Sequence, residues 1–150
     1  MRLCLYEPDI PQNAGTLMRL CACLGVPLDI VEPCGFLLTD KNLKRAGMDY
    51  IGHLDMARHT GWAAFQETHV GVRRVLLTTK AETLLPDFSF QGSDILIVGR
   101  ESAGVPDHVH ADCPAQVKVP MISGVRSLNV AVSAGMVLGE ALRQTGRWPS

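Results

Sequence analysis

Three short apolar runs constrain this chain most, because none shows the polar alternation of a strand with one face in water. Leu3-Cys4-Leu5-Tyr6 and Val75-Leu76-Leu77 lack alternation, and Ile95-Leu96-Ile97-Val98 is wholly apolar. Runs of this length and continuity suit strands covered on both faces, the pattern of parallel sheets. Helical stretches separate them. Residues 12–24 place Leu17, Leu20, Cys21 and Leu24 on one stripe, with Asn13 near the start as a candidate cap and Gly25 as a stop. Residues 28–31 return as a strand, 40–46 read as a short helix closed by Gly47, and 61–67 read as another helix. Residues 116–119 form a last short strand, and 129–143 a closing helix ended by Gly146. The expected fold is α/β, a mostly parallel sheet with helices on both faces, in a single domain over 1–150. A chain of 150 residues, 47% of them hydrophobic, can bury such a core without disulfides or metal.

The closing helix carries Ala131, Ala134, Gly135 and Gly139 along one stripe. Glycine inside a helix costs about 1 kcal/mol relative to alanine, so a closely approaching backbone is the natural compensation. The spacing leaves open whether the partner is the chain's own sheet or a second copy.

Charge and cysteine content exclude several classes. Lys and Arg total 14 against 15 Asp and Glu, so a polyanionic partner must be met by a local patch. The five cysteines are odd in number and contain no C-x-x-C pair, which argues against a disulfide framework or a zinc ribbon and for a reducing, cytoplasmic setting. No apolar stretch approaches the roughly 18 residues of a membrane span, so neither export nor a membrane partner is expected. His108-Val109-His110 would share a face on a strand, but no third ligand completes a pattern, and no metal is expected. Ser102, His108 and Asp112 lack the G-x-S-x-G elbow of a hydrolase.

Chemistry concentrates in three polar segments, each placed after a strand. They are residues 8–19 with Asn13, Gly15 and Arg19; residues 99–104 with Gly99, Glu101 and Gly104; and residues 120–129 with Arg126, Ser127, Leu128 and Asn129. Ligands of open α/β sheets bind outside the carboxyl ends of the strands, where three such segments would converge on one site. Gly99 to Gly104 has P-loop spacing, but Val105 and Pro106 stand where Lys and Ser or Thr are needed. What remains is a glycine-bordered loop that lets a ligand approach its backbone. Free N–H groups at the start of the first helix favour anions, and Arg19 offers a bidentate fork for phosphate.

Together the segments resemble the SpoU branch of the SPOUT methyltransferases, RNA ribose 2′-O-methyltransferases. The motif Asn-x-Gly-x-x-x-Arg matches Asn13, Gly15 and Arg19; Gly-x-Glu with a later Gly matches Gly99, Glu101 and Gly104; Pro-Met then Ser-Leu-Asn matches Pro120, Met121, Ser127, Leu128 and Asn129. Tyr6-Glu7-Pro8 and residues 40–50 also look like the minimal members that methylate the tRNA wobble nucleotide.

The resemblance implies a C-terminal trefoil knot, a homodimer and S-adenosylmethionine as cofactor. It implies cofactor contacts at Leu77, Gly99, Val119, Ser127 and Leu128, and catalytic roles for Arg19, Asn13, Glu101 and Asn129. It further implies contact between the tRNA anticodon stem-loop and Lys41, Lys44, Arg45 and Arg126, with Arg73 as a further candidate. Lys41, Lys44 and Arg45, three and four apart, can share one helix face and form a phosphate track. The rival is a non-catalytic RNA-binding or dimerisation protein on the same fold, which would need only basic residues.

Overall fold

The computed structural model describes residues 1–45 and 51–150, with the side chains of Asp40, Leu43 and Lys44 outside the description. Gly47, read as a helix stop, and the rest of the family segment over 46–50 lie outside the described residues.

The strands are β1 (Arg2–Tyr6), β2 (Leu28–Val31), β3 (Met56–His59), β4 (Arg74–Leu77), β5 (Ile95–Val98) and β6 (Ala115–Val117). They form one six-stranded sheet in the order β3-β2-β1-β5-β4-β6. Every pairing is parallel, with Leu3 of β1 in register with Leu28 of β2 and Leu96 of β5. The helices are α1 (Pro11–Leu24), α2 (Asp40–Arg45), α3 (Trp62–Thr68), α4 (Asp107–Ala111) and α5 (Val130–Thr145).

The apolar runs are continuous because both faces are covered. On one face Leu3, Leu5, Leu28, Ile30, Leu96 and Val98 pack against Leu17, Met18 and Cys21 of α1 and Ala134, Val137 and Leu138 of α5. On the other, Cys4, Tyr6, Val31, Leu76, Ile95 and Ile97 pack against Trp62 and Phe65 of α3 and Val109 of α4. Trp62 and Phe65 stack with centroids 5.0 Å apart. All five cysteines are free, and burial pushes Cys21 and Cys113 up to about 12, so neither is a thiolate at neutral pH.

The first helix differs from expectation at its start. It opens with Pro11 after an extended Ile10, and Asn13 sits inside it rather than capping it. Its end is as expected, with Gly25 at φ 64° returning its N–H to Cys21 O. The closing helix begins where expected, with Asn129 as its cap, and extends to Thr145 before Gly146 at φ 64°. Two elements go beyond the sequence reading. Met56–His59 is an edge strand, and Asp107–Ala111 is a helix, so His108 and His110 do not share a strand face.

The small-residue stripe faces partners within the chain. Ala131 and Ala134 are buried, a Cβ on Gly135 would sit 3.8 Å from Leu20 of α1, and one on Gly139 would sit 3.6 Å from the Trp148 ring. These are ordinary contact distances, so no described neighbour within the chain demands glycine at either position.

The strand order reverses between β1 and β5. From β1 the chain proceeds outward to β2, while from β5 it passes beyond β4 to β6. Their carboxyl-end loops therefore diverge and leave a crevice, the position where parallel sheets hold ligands.

Candidate active site

A cavity of about 540 Å³ occupies this crevice, at the carboxyl ends of β1, β4, β5 and β6. That volume suits a small-molecule ligand. All three polar segments reach it: Asn13 from the first, Gly99 and Glu101 from the second, and Ser127, Leu128 and Asn129 from the third. Leu77, the last residue of β4, and Val119, beyond β6, supply apolar wall.

Other expected residues lie elsewhere. Arg19 and Arg126 are exposed and are not among the residues lining the cavity. Arg19 is six residues along α1 from Asn13, about 9 Å down the axis at 1.5 Å per residue. Lys41 and Arg45 are exposed on α2, away from the lining, and the side chain of Lys44 lies outside the described residues. Asn42 N donates to Thr39 Oγ1 at 3.2 Å, anchoring the start of α2. Arg73 is committed to structure: it precedes β4 at the amino end of the sheet and donates to both oxygens of the buried Asp94, at 2.8 and 2.7 Å. It thus lies at the end of the sheet opposite the cavity.

The loop after β5 closes tightly on itself. A Cβ on Gly99 would lie 2.7 Å from the Gly104 carbonyl carbon, so the close approach of the loop's other glycine requires glycine at this position. Arg100 and Gly104 exchange backbone hydrogen bonds of 3.0 and 2.8 Å, and Gly104 closes the turn at φ 62°. Arg100, unexplained by the sequence, ties this loop to β1. Its Nη1 lies 3.4 Å from Glu7 Oε2 and its guanidinium lies 6.0 Å from the Tyr6 ring centroid.

Asp9 and Glu101 clasp each other. Glu101 N donates to Asp9 Oδ1 at 3.1 Å, Asp9 N donates to Glu101 Oε2 at 3.3 Å, and the Ser102 hydroxyl donates to Asp9 Oδ2. Hydrogen bonding with Glu101, reinforced by Ser102, lowers Asp9 to about 2. Glu101 moves the other way: burial raises its carboxyl, and the neighbouring Asp9 raises it further.

Asn129 joins two helices. Its Oδ1 accepts from Ala131 N at 2.8 Å and Val132 N at 3.2 Å, satisfying free donors at the start of α5. Its Nδ2 donates to Asn13 Oδ1 at 3.0 Å. Asn129 is thus a cap and a strut whose amide also borders the cavity.

Sequence reasoning missed Lys80, Lys118 and His110 on the cavity wall. Lys80 and Lys118 follow β4 and β6, so the rule that brought the polar segments together applied to them as well. It also missed a metal-capable group among the described residues, formed by Asp29, His59 and His69. Both imidazole Nε2 atoms meet Asp29 Oδ1, at 2.8 and 3.1 Å, and Arg2 Nε donates to Oδ2 at 2.7 Å. The carboxylate is therefore already met by a guanidinium. Burial acts to raise Asp29, but the bonds from Arg2, His59 and His69 outweigh it and hold its pKa below the ordinary value.

Fold and cavity define an α/β protein with a ligand-sized cavity at the switch point of its parallel sheet. The pattern of the SpoU rRNA Methylase family matches residues 1–139, and the chain belongs to that family. A tRNA (cytidine(34)-2′-O)-methyltransferase of Beijerinckia indica is 56% identical over 146 residues, covering 96% of this chain and 91% of that protein. The Escherichia coli protein of the same name is 39% identical over 148 residues, covering 97% and 94%. A solved structure described as giving insight into the 2-OH methylation of C/U34 on tRNA superposes with a TM-score of 0.89 at 44% identity, covering 95% and 94%. The SpoU methyltransferase AviRb of Streptomyces viridochromogenes, in complex with AdoMet, shares the fold with a TM-score of 0.84 at 24% identity, covering 96% of this chain and 57% of that one.

Proposed function

We propose that this chain is an S-adenosylmethionine-dependent 2′-O-ribose methyltransferase acting on the wobble nucleotide of tRNA, cytidine or uridine at position 34, the chemistry its relatives are named for. The observation that carries the proposal is the convergence of all three family segments on one cavity. The lining fits the cofactor: Leu77, Val119 and Leu128 offer apolar surface to an adenine ring, while backbone groups and the Ser127 hydroxyl offer polar partners. When bound, S-adenosylmethionine supplies an activated methyl group for transfer to the ribose 2′-oxygen.

The chain's own task is to hold that ribose in place and ease loss of its hydroxyl proton. The Arg19 guanidinium offers only donors and no acceptor, so it is no general base. Its role is to bind the adjoining phosphate and stabilise developing negative charge. Glu101 and the Asn13–Asn129 pair orient the reacting groups. Lys41, Lys44, Arg45 and Arg126 hold phosphates of the anticodon stem-loop, together with Lys80 and Lys118 at the cavity.

A cytoplasmic homodimer completes the proposal, with the trefoil knot that the family resemblance implies. Val132 and Met136, one turn apart on α5, are 54% and 47% exposed and offer apolar surface to a second copy. Among the described residues no helix is long and apolar enough to cross a membrane. A non-catalytic RNA binder on this fold would have no use for an acid held at the cavity wall, which favours the enzyme.

The test is incubation with methyl-labelled S-adenosylmethionine and tRNA from a strain lacking the homologue, followed by nucleoside mass spectrometry. Label is expected in 2′-O-methylcytidine or 2′-O-methyluridine at the wobble position. Absence of label from every nucleoside, with cofactor bound in the same sample, would refute the proposal.

A further inference from the structure

We propose that Asp9 is a positioning residue: by clasping the loop over 99–104 to the end of β1, it fixes the Glu101 carboxylate at the cavity wall. The inference rests on the reading that Glu101 serves methyl transfer. Three hydrogen bonds make the clasp: Glu101 N to Asp9 Oδ1 at 3.1 Å, Asp9 N to Glu101 Oε2 at 3.3 Å, and the Ser102 hydroxyl to Asp9 Oδ2. The first two are reciprocal, each residue's backbone donating to the other's carboxylate, so neither side chain can turn away without stranding a donor. Glu101 is thereby held through its own side chain as well as its backbone.

Asp9 is itself braced. Glu7, the residue after β1, takes φ 43°, a left-handed bend that a non-glycine residue rarely adopts, and leads the chain into Pro8-Asp9. Gly35 N donates to Pro8 O at 2.9 Å, and a Cβ on Gly35 would lie 2.9 Å from the Asp9 Cα, so the backbone behind Asp9 is closely packed. The Glu7–Arg100 pair at 3.4 Å forms a second tie between the same two loops. Asp9 does not line the cavity, so it acts through Glu101.

The clasp also places two carboxyl groups side by side. Asp9 takes the ionised role, and its charge adds to burial in raising Glu101. Of the other titratable groups here, Arg100 is turned to Glu7 and to Gly104 O, while His110 from α4 and Lys80 and Lys118 beyond β4 and β6 line the cavity. A carboxylate that works ionised loses activity as pH falls through its pKa. Removing the Asp9 charge lowers that pKa and should carry the acid limb to lower pH.

The experiment compares Asp9→Ala, Asp9→Asn and Glu101→Gln for cofactor binding, kcat and the pH dependence of methyl transfer to tRNA. Asp9→Ala should lower kcat by about tenfold to a hundredfold with cofactor Kd unchanged, the cost of a misplaced reacting group. Asp9→Asn retains an oxygen for Glu101 N–H and guards against simple misfolding; it should recover much of the rate and shift the acid limb downward. If Glu101→Gln is impaired while both Asp9 variants keep wild-type kcat and an unmoved acid limb, the positioning role is overturned and the reading of Glu101 stands. If Glu101→Gln retains full rate, both fall.

Discussion

Asp29 is the residue on which most polar structure of the sheet converges. Fully buried in β2, it accepts from Arg2 of β1, His59 of β3 and His69 after α3, so one carboxylate ties three strands and a helix. Asp29→Ala would leave a guanidinium and two imidazoles without their acceptor. The expected loss is about 3–5 kcal/mol, the usual cost of breaking a buried pair by removing one partner, read from denaturant unfolding. Because the folded-state pKa of Asp29 is depressed, its contribution is complete above the ordinary carboxylate range and disappears as pH falls through the lowered value. Stability measured against pH should therefore decline on the acid side in the wild type, and less steeply in Asp29→Asn. Gly99 makes a different demand. Gly99→Ala would place a methyl 2.7 Å from Gly104 backbone, and a rigid backbone neighbour cannot give way as a flexible side chain can. A loss of about 1–3 kcal/mol is expected from overpacking, together with weaker cofactor binding measured by calorimetry.

The elements whose sequence patterns come from local physics were legible, and those made by tertiary context were not. The continuous runs at 3–6, 75–77 and 95–98 announce strands because burial on both faces removes polar alternation. Gly25 and Gly146 announce helix ends because the left-handed turn favours glycine. Met56–His59 gave no such signal: it is an edge strand with Arg58 exposed to pair with Glu32 and His59 buried on Asp29, so its pattern is mixed. Asp107–Ala111 is a single short turn of helix with only Val109 buried. The site was legible as three segments, but the Asp9–Glu101 clasp joins residues far apart in sequence, and no spacing rule reports such a pairing. Asn129 was read as chemistry, yet its geometry is first that of a cap. Asn129→Ala should cost about 1 kcal/mol from the lost cap, with a further decrement from the broken link to Asn13, both read by thermal unfolding. Asn129→Asp keeps the capping oxygen but loses the donor to Asn13. It should recover the cap's share of stability and not the strut's, separating the two functions of one amide.

For the whole molecule, the cavity and the exposed apolar surface divide the labour. Every cofactor-binding residue expected from the family motifs lines a cavity built within one chain. The proposed phosphate-binding residues Lys41, Arg45 and Arg126 stand away from that lining, and Arg19 is exposed on α1. Ile122, Val125, Val132 and Met136 are all at least 47% exposed, a grouping of apolar side chains in one stretch of chain that water disfavours unless a partner covers it. If a second copy covers α5, cofactor binding and RNA methylation should come apart when the contact is broken. The variant Val132→Asp/Met136→Lys alters side chains that already point away from the core, so the sheet and cavity should survive. In sedimentation at low micromolar concentration the wild type should run at twice the chain mass and the variant at the chain mass. The variant's cofactor affinity should stay within about threefold, since neither Val132 nor Met136 lines the cavity. Its tRNA affinity and methyl transfer should fall sharply, because phosphate contacts spread over two copies would no longer act together. Wild-type tRNA binding should weaken steeply with added salt, and the variant's slope should be shallower, because fewer phosphates are neutralised. A monomeric variant that methylates tRNA at the wild-type rate would show instead that one chain holds the whole substrate site, and that the exposed face of α5 serves some purpose other than assembling it.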